Sequence, residues 1–244
     1  MSFRQGVFMK REEHKYLSRY LYISAERKTT RFQHLLLTFG SVAPDLSPVS
    51  YIRGFFQGNP FKSHFWCNSQ KLIKRYIRQL SKKKEWHAWD YFRFGELTHY
   101  LADAFTYPHN DFYPGTMFDH LDYEEVDLHN VFADVVDTLP SYEIEETEES
   151  FWEQVLKMHK EYEEAEHGPV ADARYIHKIN YAAWYCLVPC QGETALEKFL
   201  LDAYVEAQQV HDACHEACEE VYLNAYHNAG TLMRYRIKEN SAAS

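Results

Sequence analysis

Two pairs of side chains in this sequence have the types and the spacing of metal ligands. His99 and Asp103 are four residues apart, and so are His120 and Glu124. On a helix this spacing places both members of a pair on one face, where an imidazole and a carboxylate can bind the same ion. His109 lies between the two pairs, directly after a proline. Imidazole and carboxylate ligands without a thiolate are typical of zinc, although iron or manganese accepts many of the same groups.

Helices must position these ligands, because the sequence offers little of any other regular structure. The 244 residues include nine glycines and eight prolines, which is few for a chain of many hairpins, and no segment alternates as a strand does. We therefore predict a single all-α domain, with a motif-bearing part at about 10–135 and a helical part at about 148–238. The segment Gly40–Pro60 is predicted to be an ordered loop, and Asn68 to cap a helix. The predicted helices cover about 11–23, 30–39, 68–84, 87–105, 116–136, 151–164, 172–188 and 194–238.

Composition narrows the class of protein further. The formal net charge is −10, which argues against extended contacts with phosphate backbones, so duplex nucleic acid is not an expected partner. No apolar run approaches the ~18–20 residues of a membrane helix. The first residues lack the apolar core of a secretory signal, and an odd number of cysteines, five, fits a reducing compartment. We expect a cytoplasmic protein.

Three residues upstream of the two pairs complete a recognisable order. His14 lies on the first predicted helix, Asp45 follows a short turn that contains alanine, and His64 stands in a Ser-His-Phe segment. Together with the two pairs and the intervening histidine, this order resembles the zinc-dependent phospholipase C family over about residues 14–135. The resemblance implies an all-α fold, related to that of the single-strand-specific zinc nucleases, and a cluster of two or three zinc ions.

The resemblance also assigns each ligand to an ion. It implies a first zinc held by Asp45, His64, His99 and Asp103, a second held by His109, His120 and Glu124, and a third held by His14 with Asp103 as a bridge. In the family the third zinc also takes the amine and carbonyl of an N-terminal tryptophan, whereas this sequence has Met1.

A zinc cluster of this kind suits the hydrolysis of phosphodiesters. Zinc lowers the pKa of a bound water toward neutrality, and closely spaced ions neutralise phosphate oxygens. A carboxylate beside the ion can deprotonate the attacking water, which makes Asp45 the candidate general base. We therefore predict a phospholipase C-like hydrolase of a phosphodiester or phospholipid, with transient contact to a membrane surface. Phe61 matches an aromatic residue that binds the substrate headgroup in the family, but neither the headgroup nor the oligomeric state is predicted.

Two other functions stay open at this point. One is a single-strand nuclease of the related zinc type, which would use the same ions on a different phosphodiester. The other is a catalytically inactive protein that keeps the metal ligands for stability or zinc binding. Chelator-sensitive hydrolysis of lipids and of oligonucleotides would separate the three.

Other histidines and carboxylates compete for roles near the predicted ligands. His34 lies in an apolar run and could replace His14, but His14 is favoured because it lies on an amphipathic helix. Three residues near the second pair are candidates for orienting its imidazoles. These are Asp119, Glu125 and His129.

Two further clusters have simple explanations. The basic stretch Lys71–Lys84 could meet anionic headgroups or phosphates, but a solvated helix face with its apolar residues turned inward explains it better. Four cysteines in the C-terminal part could bind a structural metal, but buried positions on alanine-rich helices are the favoured explanation. They are Cys186, Cys190, Cys214 and Cys218.

Overall fold

The computed structural model describes residues 11–24, 29–47, 64–139 and 150–189, with single positions at 203, 205 and 209. These residues form helices and turns and contain no strand, which confirms the predicted all-α fold. The helices are α1 (Arg11–Ser24), α2 (Arg31–Leu46), α3 (Trp66–Leu80), α4 (Ala88–Ala104), α5 (Met117–Asp122), α6 (His129–Thr138), α7 (Phe151–Glu164) and α8 (Pro169–Leu187). A 3-10 turn at Tyr107–His109 follows α4, and a π-helical segment at Tyr123–Leu128 joins α5 to α6.

Two compact units divide the chain, Met1–Glu193 and Thr194–Ser244. The eight α-helices given above, all within the described residues 11–189, belong to the first unit. The helix predicted at 194–238 lies almost wholly outside the described residues, so the single-domain organisation stays a prediction. None of the described helices combines the length and the apolar character that crossing a membrane requires.

Helix α4 is the central helix of the first unit. It packs against α1, α2, α3 and α8, and its buried residues point in every direction around its axis. Phe94, Leu97 and Leu101 are fully buried, and so are His99 and Asp103. A helix that is buried all round belongs to the middle of a core. Polar ligands on such a helix are therefore removed from water before any ion binds.

Helix α2 is longer than the sequence predicts. The sequence predicts a loop over Gly40–Pro60, but helix α2 continues to Leu46, and residues 48–60 of that segment lie outside the described residues. Gly40 lies against α4: a Cβ atom there would lie 2.0 Å from the Phe92 carbonyl oxygen. Gly95 on α4 faces it, since a Cβ atom there would lie 2.2 Å from the Leu37 carbonyl oxygen. The glycine therefore serves a close helix crossing, and the prediction of a loop at this position is wrong.

Helix α3 also begins and ends differently from its predicted range. It starts at Trp66 with Phe65 as its N-cap, so Asn68 lies inside the first turn and does not cap the helix. Its buried residues are the predicted apolar ones, Leu72, Ile73, Tyr76, Ile77 and Leu80, and its lysines and arginines are exposed. The basic stretch is thus a solvated face, as predicted.

The π-helical segment keeps one face of a long helix turned toward the core. Buried residues along α5, the π segment and α6 recur every fourth position, at His120, Glu124, Leu128, Phe132 and Val136. In a regular α-helix four residues turn through more than a full circle, so residues at a spacing of four shift around the helix axis by about 40° at each step. A π turn contains more residues than an α turn, so the rotation per residue is smaller. The π segment therefore offsets this shift. One continuous helix can then hold two ligands at one end and core residues at the other.

The close crossing of α2 and α4 yields a first prediction. We expect Gly95→Ala to destabilise the fold by about 3 kcal/mol, because the new methyl group would meet backbone atoms that cannot rotate away. Urea unfolding followed by circular dichroism measures this. Gly115→Ala is the control, since the atoms nearest to its Cβ would belong to the side chain of Tyr113, which can rotate away, and the substitution should cost less than about 1 kcal/mol. An equal loss of unfolding free energy in the two variants would contradict the close approach of α2 and α4 at Gly95.

Candidate metal centre

A single buried carboxylate, Asp103, lies among four histidines. Its Oδ2 lies 2.8 Å from His64 Nδ1, 3.2 Å from His99 Nε2 and 3.9 Å from His109 Nδ1. Its Oδ1 lies 3.7 Å from His14 Nε2. All five side chains are buried. The predicted ligands of α1, the segment before α3, α4 and the 3-10 turn therefore meet at one carboxylate.

Three groups of side chains in this region could each hold a metal ion. Within each group the ligand atoms lie within 4.8 Å of one another. The groups are His14, His99 and Asp103; Asp45, His64 and His99; and His109, His120 and Glu124. His99 belongs to the first two groups, and Asp103 of the first group also lies close to His64 and His109. The three groups therefore form one cluster.

The imidazole of His99 is held in position by the backbone of α2. Its Nδ1 lies 2.9 Å from the Ser41 carbonyl oxygen and donates a hydrogen bond to it. This bond leaves Nε2 directed at the carboxylates, where it lies 3.6 Å from Asp45 Oδ1. A backbone acceptor behind a ligating histidine selects its tautomer and its ring orientation. The extension of α2 beyond Gly40 is what supplies both Ser41 and Asp45.

The 3-10 turn, helix α5 and the π segment each supply one member of the third group. His109 Nε2 lies 2.7 Å from Glu124 Oε1, and His120 Nε2 lies 3.3 Å from the same oxygen. The two members of the predicted pair, His120 and Glu124, remain on one face although the helix changes from α to π between them. Phe65 stacks against His109 with ring centroids 5.6 Å apart, which closes this group on one side.

Burial and mutual attraction set the charges of the cluster. Burial alone would raise the pKa of Asp103, but His99 and His109 outweigh it and hold that pKa well below its usual range. Burial lowers the pKa of His99, but Asp103 and Asp45 outweigh it and raise this pKa to about 9. Burial together with the neighbouring His99 lowers the pKa of His14. In the metal-free protein the charge of Asp103 is thus balanced chiefly by the protonated imidazole of His99.

Burial is the largest influence on Asp45 and raises the pKa of its carboxyl group, although His99 and His64 act in the opposite direction. Asp45 is the least buried member of the three groups, so it lies on the solvent side of the cluster. In the third group burial would raise the pKa of Glu124, but His109 outweighs it and lowers that pKa. Asp45 is therefore the member whose carboxylate is best placed to meet a water that enters.

Several ligand atoms of the cluster fit a cation. Both ring nitrogens of His14, Asp45 Oδ1, Asp103 Oδ1 and Glu124 Oε2 are buried and have no hydrogen-bond partner among the described residues. Buried polar atoms normally have a partner, because leaving one unsatisfied costs about 1–3 kcal/mol. Acceptor atoms that converge without donors are what a metal ion would satisfy. The nitrogen and oxygen ligand set is one that zinc accepts.

Comparison with known proteins agrees with this geometry. A family model described as zinc dependent phospholipase C matches residues 14–168. The chain belongs to this family. The match begins at His14 and contains every predicted ligand, and it confirms the family that the sequence resembles. No curated protein and no solved structure matched the chain.

Membership of the zinc-dependent phospholipase C family supports a metal-dependent hydrolase with zinc as its metal and implies a phospholipid substrate. All eight predicted ligands lie in the three groups of the cluster. Their assignment to individual ions stays a prediction. Phe61, the predicted substrate-binding residue, lies outside the described residues.

Other predicted candidates lie outside the three groups. His34 stacks on Tyr22, with ring centroids 4.3 Å apart, and belongs to none of the groups. Asp119 caps its own helix by accepting hydrogen bonds from Thr116, and it is exposed. His129 donates a hydrogen bond to the buried Glu13, so it joins α6 to α1 beside His14. Glu125 is half-buried on the π segment.

Of the four cysteines that are predicted to be buried, one lies among the described residues. Cys186 is exposed on α8, so its predicted burial is wrong. It follows Trp184 and Tyr185 at the end of the helix, where the core face is already filled by Trp184. The other three, Cys190, Cys214 and Cys218, lie outside the described residues.

Asp172 is a buried residue near the third group that the sequence did not single out. Its carboxylate is fully buried and accepts hydrogen bonds from the Tyr107 backbone N–H, at 2.7 Å, and from two tyrosine hydroxyls. The sequence offers an ordinary explanation for an aspartate here, since acidic residues are common in the first turn of a helix. Nothing in its local pattern distinguishes it from such a residue.

Zinc binding should release protons from this cluster. Near neutral pH His99 carries a proton in the metal-free protein, because its pKa is about 9, and zinc requires the neutral imidazole. We therefore expect the apparent zinc affinity to rise with pH up to about 9. At neutral pH, the calorimetric heat of zinc binding should change with the ionisation enthalpy of the buffer. A heat that is the same in buffers of low and high ionisation enthalpy would contradict the protonated state of His99.

Proposed function

We propose that this protein is a zinc-dependent phospholipase C that hydrolyses the bond between glycerol and phosphate in a phospholipid. The observation that supports this most is the cluster itself: two ligand groups share His99, and the third approaches Asp103 through His109, all in one buried region. Neighbouring ions suit a phosphodiester, whose reaction develops charge on several oxygens at once. The family match over residues 14–168 supports the same reaction class.

Eight side chains would hold the ions in this proposal. Asp45, His64, His99 and Asp103 would hold one zinc, His109, His120 and Glu124 a second, and His14 with Asp103 a third. The chemistry that zinc supplies when bound is the activation of a water near neutral pH and the neutralisation of phosphate oxygens. The cluster supports this assignment because one oxygen of each carboxylate has no hydrogen-bond donor among the described residues; these are Asp45 Oδ1, Asp103 Oδ1 and Glu124 Oε2.

Asp45 is the proposed general base. It is the least buried member of the three groups, and its Oδ1 has no hydrogen-bond partner among the described residues. A carboxylate at the solvent side can orient an entering water and accept its proton as that water attacks phosphorus. The remaining ligands are more deeply buried and paired with one another, which suits them to holding ions rather than to accepting protons from substrate water.

The reaction is tested with the purified chain, its zinc content measured by elemental analysis. We expect phospholipid in mixed micelles to be converted to diacylglycerol and a phosphorylated headgroup. A chelator should abolish this conversion and added zinc should restore it. Single-stranded oligonucleotides are assayed at the same zinc concentration. Faster cleavage of the oligonucleotides would indicate a nuclease instead. Bound zinc without hydrolysis of either substrate would indicate a metal-binding protein.

The role of Asp45 is tested with Asp45→Asn. We expect turnover to fall by about 10²–10⁴-fold, because the amide can still approach the ion through its oxygen but cannot accept the proton. Zinc content, measured in the same preparation, should be largely kept. Asp119→Asn is the control, since that carboxylate is exposed and accepts its hydrogen bonds from Thr116, the N-cap of its own helix, and the turnover of this variant should not change. Full turnover in Asp45→Asn with full zinc content would assign the base to another group.

A further inference from the structure

A buried carboxylate joins the two segments that carry the third ligand group. Asp172 Oδ2 accepts hydrogen bonds from the Tyr107 backbone N–H, at 2.7 Å, and from the Tyr123 hydroxyl, at 2.8 Å. Its Oδ1 accepts from the Tyr162 hydroxyl at 2.7 Å. Both carboxylate oxygens are therefore occupied by donors from three different segments.

The donors stand next to candidate metal ligands. Tyr107 is the first residue of the 3-10 turn that ends with His109, and Tyr123 directly precedes Glu124 at the start of the π segment. His109 and Glu124 themselves meet at 2.7 Å. The carboxylate of Asp172 thus ties together the two backbones whose side chains must converge on one ion. Tyr162 lies on α7, which carries none of the eight predicted ligands, and so it fixes Asp172 from the far side.

Stability alone gives no reason for a carboxylate at this position. Burial is the largest influence on Asp172 and raises its pKa to about 7, although three hydrogen bonds act in the opposite direction. A carboxylate whose pKa rises on folding makes folding less favourable as the pH rises above its unfolded value. Charged groups buried at such a cost are often replaceable by apolar ones without loss of stability. The position of Asp172 between two ligand segments therefore suggests a task other than holding the fold together.

We propose that Asp172 is a positioning residue for the metal group formed by His109, His120 and Glu124. It holds the 3-10 turn and the π segment at the separation that this group needs, and it acts through Tyr107 and Tyr123 without touching an ion. The inference rests on the proposed function, because it assumes that this group binds zinc. Asp172 lies beyond residue 168, where the family match ends.

The decisive measurement is the zinc affinity of each class of site, taken by competition with a chromogenic chelator. In Asp172→Ala we expect one zinc per chain to bind about 10–100-fold more weakly, while the zinc of the Asp45, His64 and His99 group binds as in the unchanged protein. Cobalt substitution gives a second readout, since the visible spectrum of one cobalt site should change and the other should not. Circular dichroism checks that the chain is folded.

Matched tyrosine variants separate positioning from a general loss of stability. Tyr123→Phe and Tyr162→Phe each remove one hydroxyl from the same carboxylate. Only Tyr123→Phe should weaken the third group, because only Tyr123 adjoins a ligand. Asp172→Asn should restore most of the affinity lost in Asp172→Ala, because its amide oxygen can still accept from Tyr107 and Tyr123. These variants decide the matter even if Asp172→Ala does not fold.

Each contrary result has a definite meaning. Equal weakening of all zinc sites in Asp172→Ala, or equal effects of the two tyrosine variants, would overturn the positioning role and leave the proposed function intact. Failure of the unchanged protein to bind any zinc would overturn both.

Discussion

The fold has to compensate the charge of one carboxylate that is buried away from water. Asp103 lies on a helix that is buried on all sides, and a bare carboxylate there would carry a large desolvation penalty. Four histidines from separate segments surround it, and two of them, His99 and His109, hold its pKa low. In the metal-free protein the protons on these histidines compensate the charge of Asp103, and metal ions would compensate it more completely. The arrangement of the helices can be understood as a means of bringing these partners to one point.

Fold and site are therefore difficult to separate in this protein. The glycine contact between α2 and α4 brings Ser41 and Asp45 to His99, so this close helix crossing also supports two ligand groups. The candidate ligands of the whole cluster come from positions 14 to 124, and only the third group lies within one short stretch, from His109 to Glu124. Binding of ions at such a site adds its free energy to folding, since the unfolded chain has no preformed centre.

Sequence patterns led to the side chains of the three groups because each signal was local, and the binding of ions by these side chains stays a prediction. His99 with Asp103 and His120 with Glu124 needed only the period of a helix, and the family resemblance supplied the order of the rest. Gly40 was misinterpreted because a glycine that ends a helix and one that admits a neighbouring helix look alike until the neighbour is known. Asp172 was missed for a similar reason: its partners Tyr107, Tyr123 and Tyr162 are distant in the chain, and only the fold brings them together.

The π-helical segment determines where this stretch of helix can change in length. With one residue fewer between Glu124 and Leu128, the helix could wind regularly, and the residues beyond the deletion would keep nearly their present direction, because a π turn holds about one residue more than an α turn. The same loss between His129 and Phe132, where the helix is already regular, would rotate everything beyond it by about 100° and turn Phe132 and Val136 out of the interior. Loss of a single residue should therefore be rarer among functional variants in α6 than in the π segment.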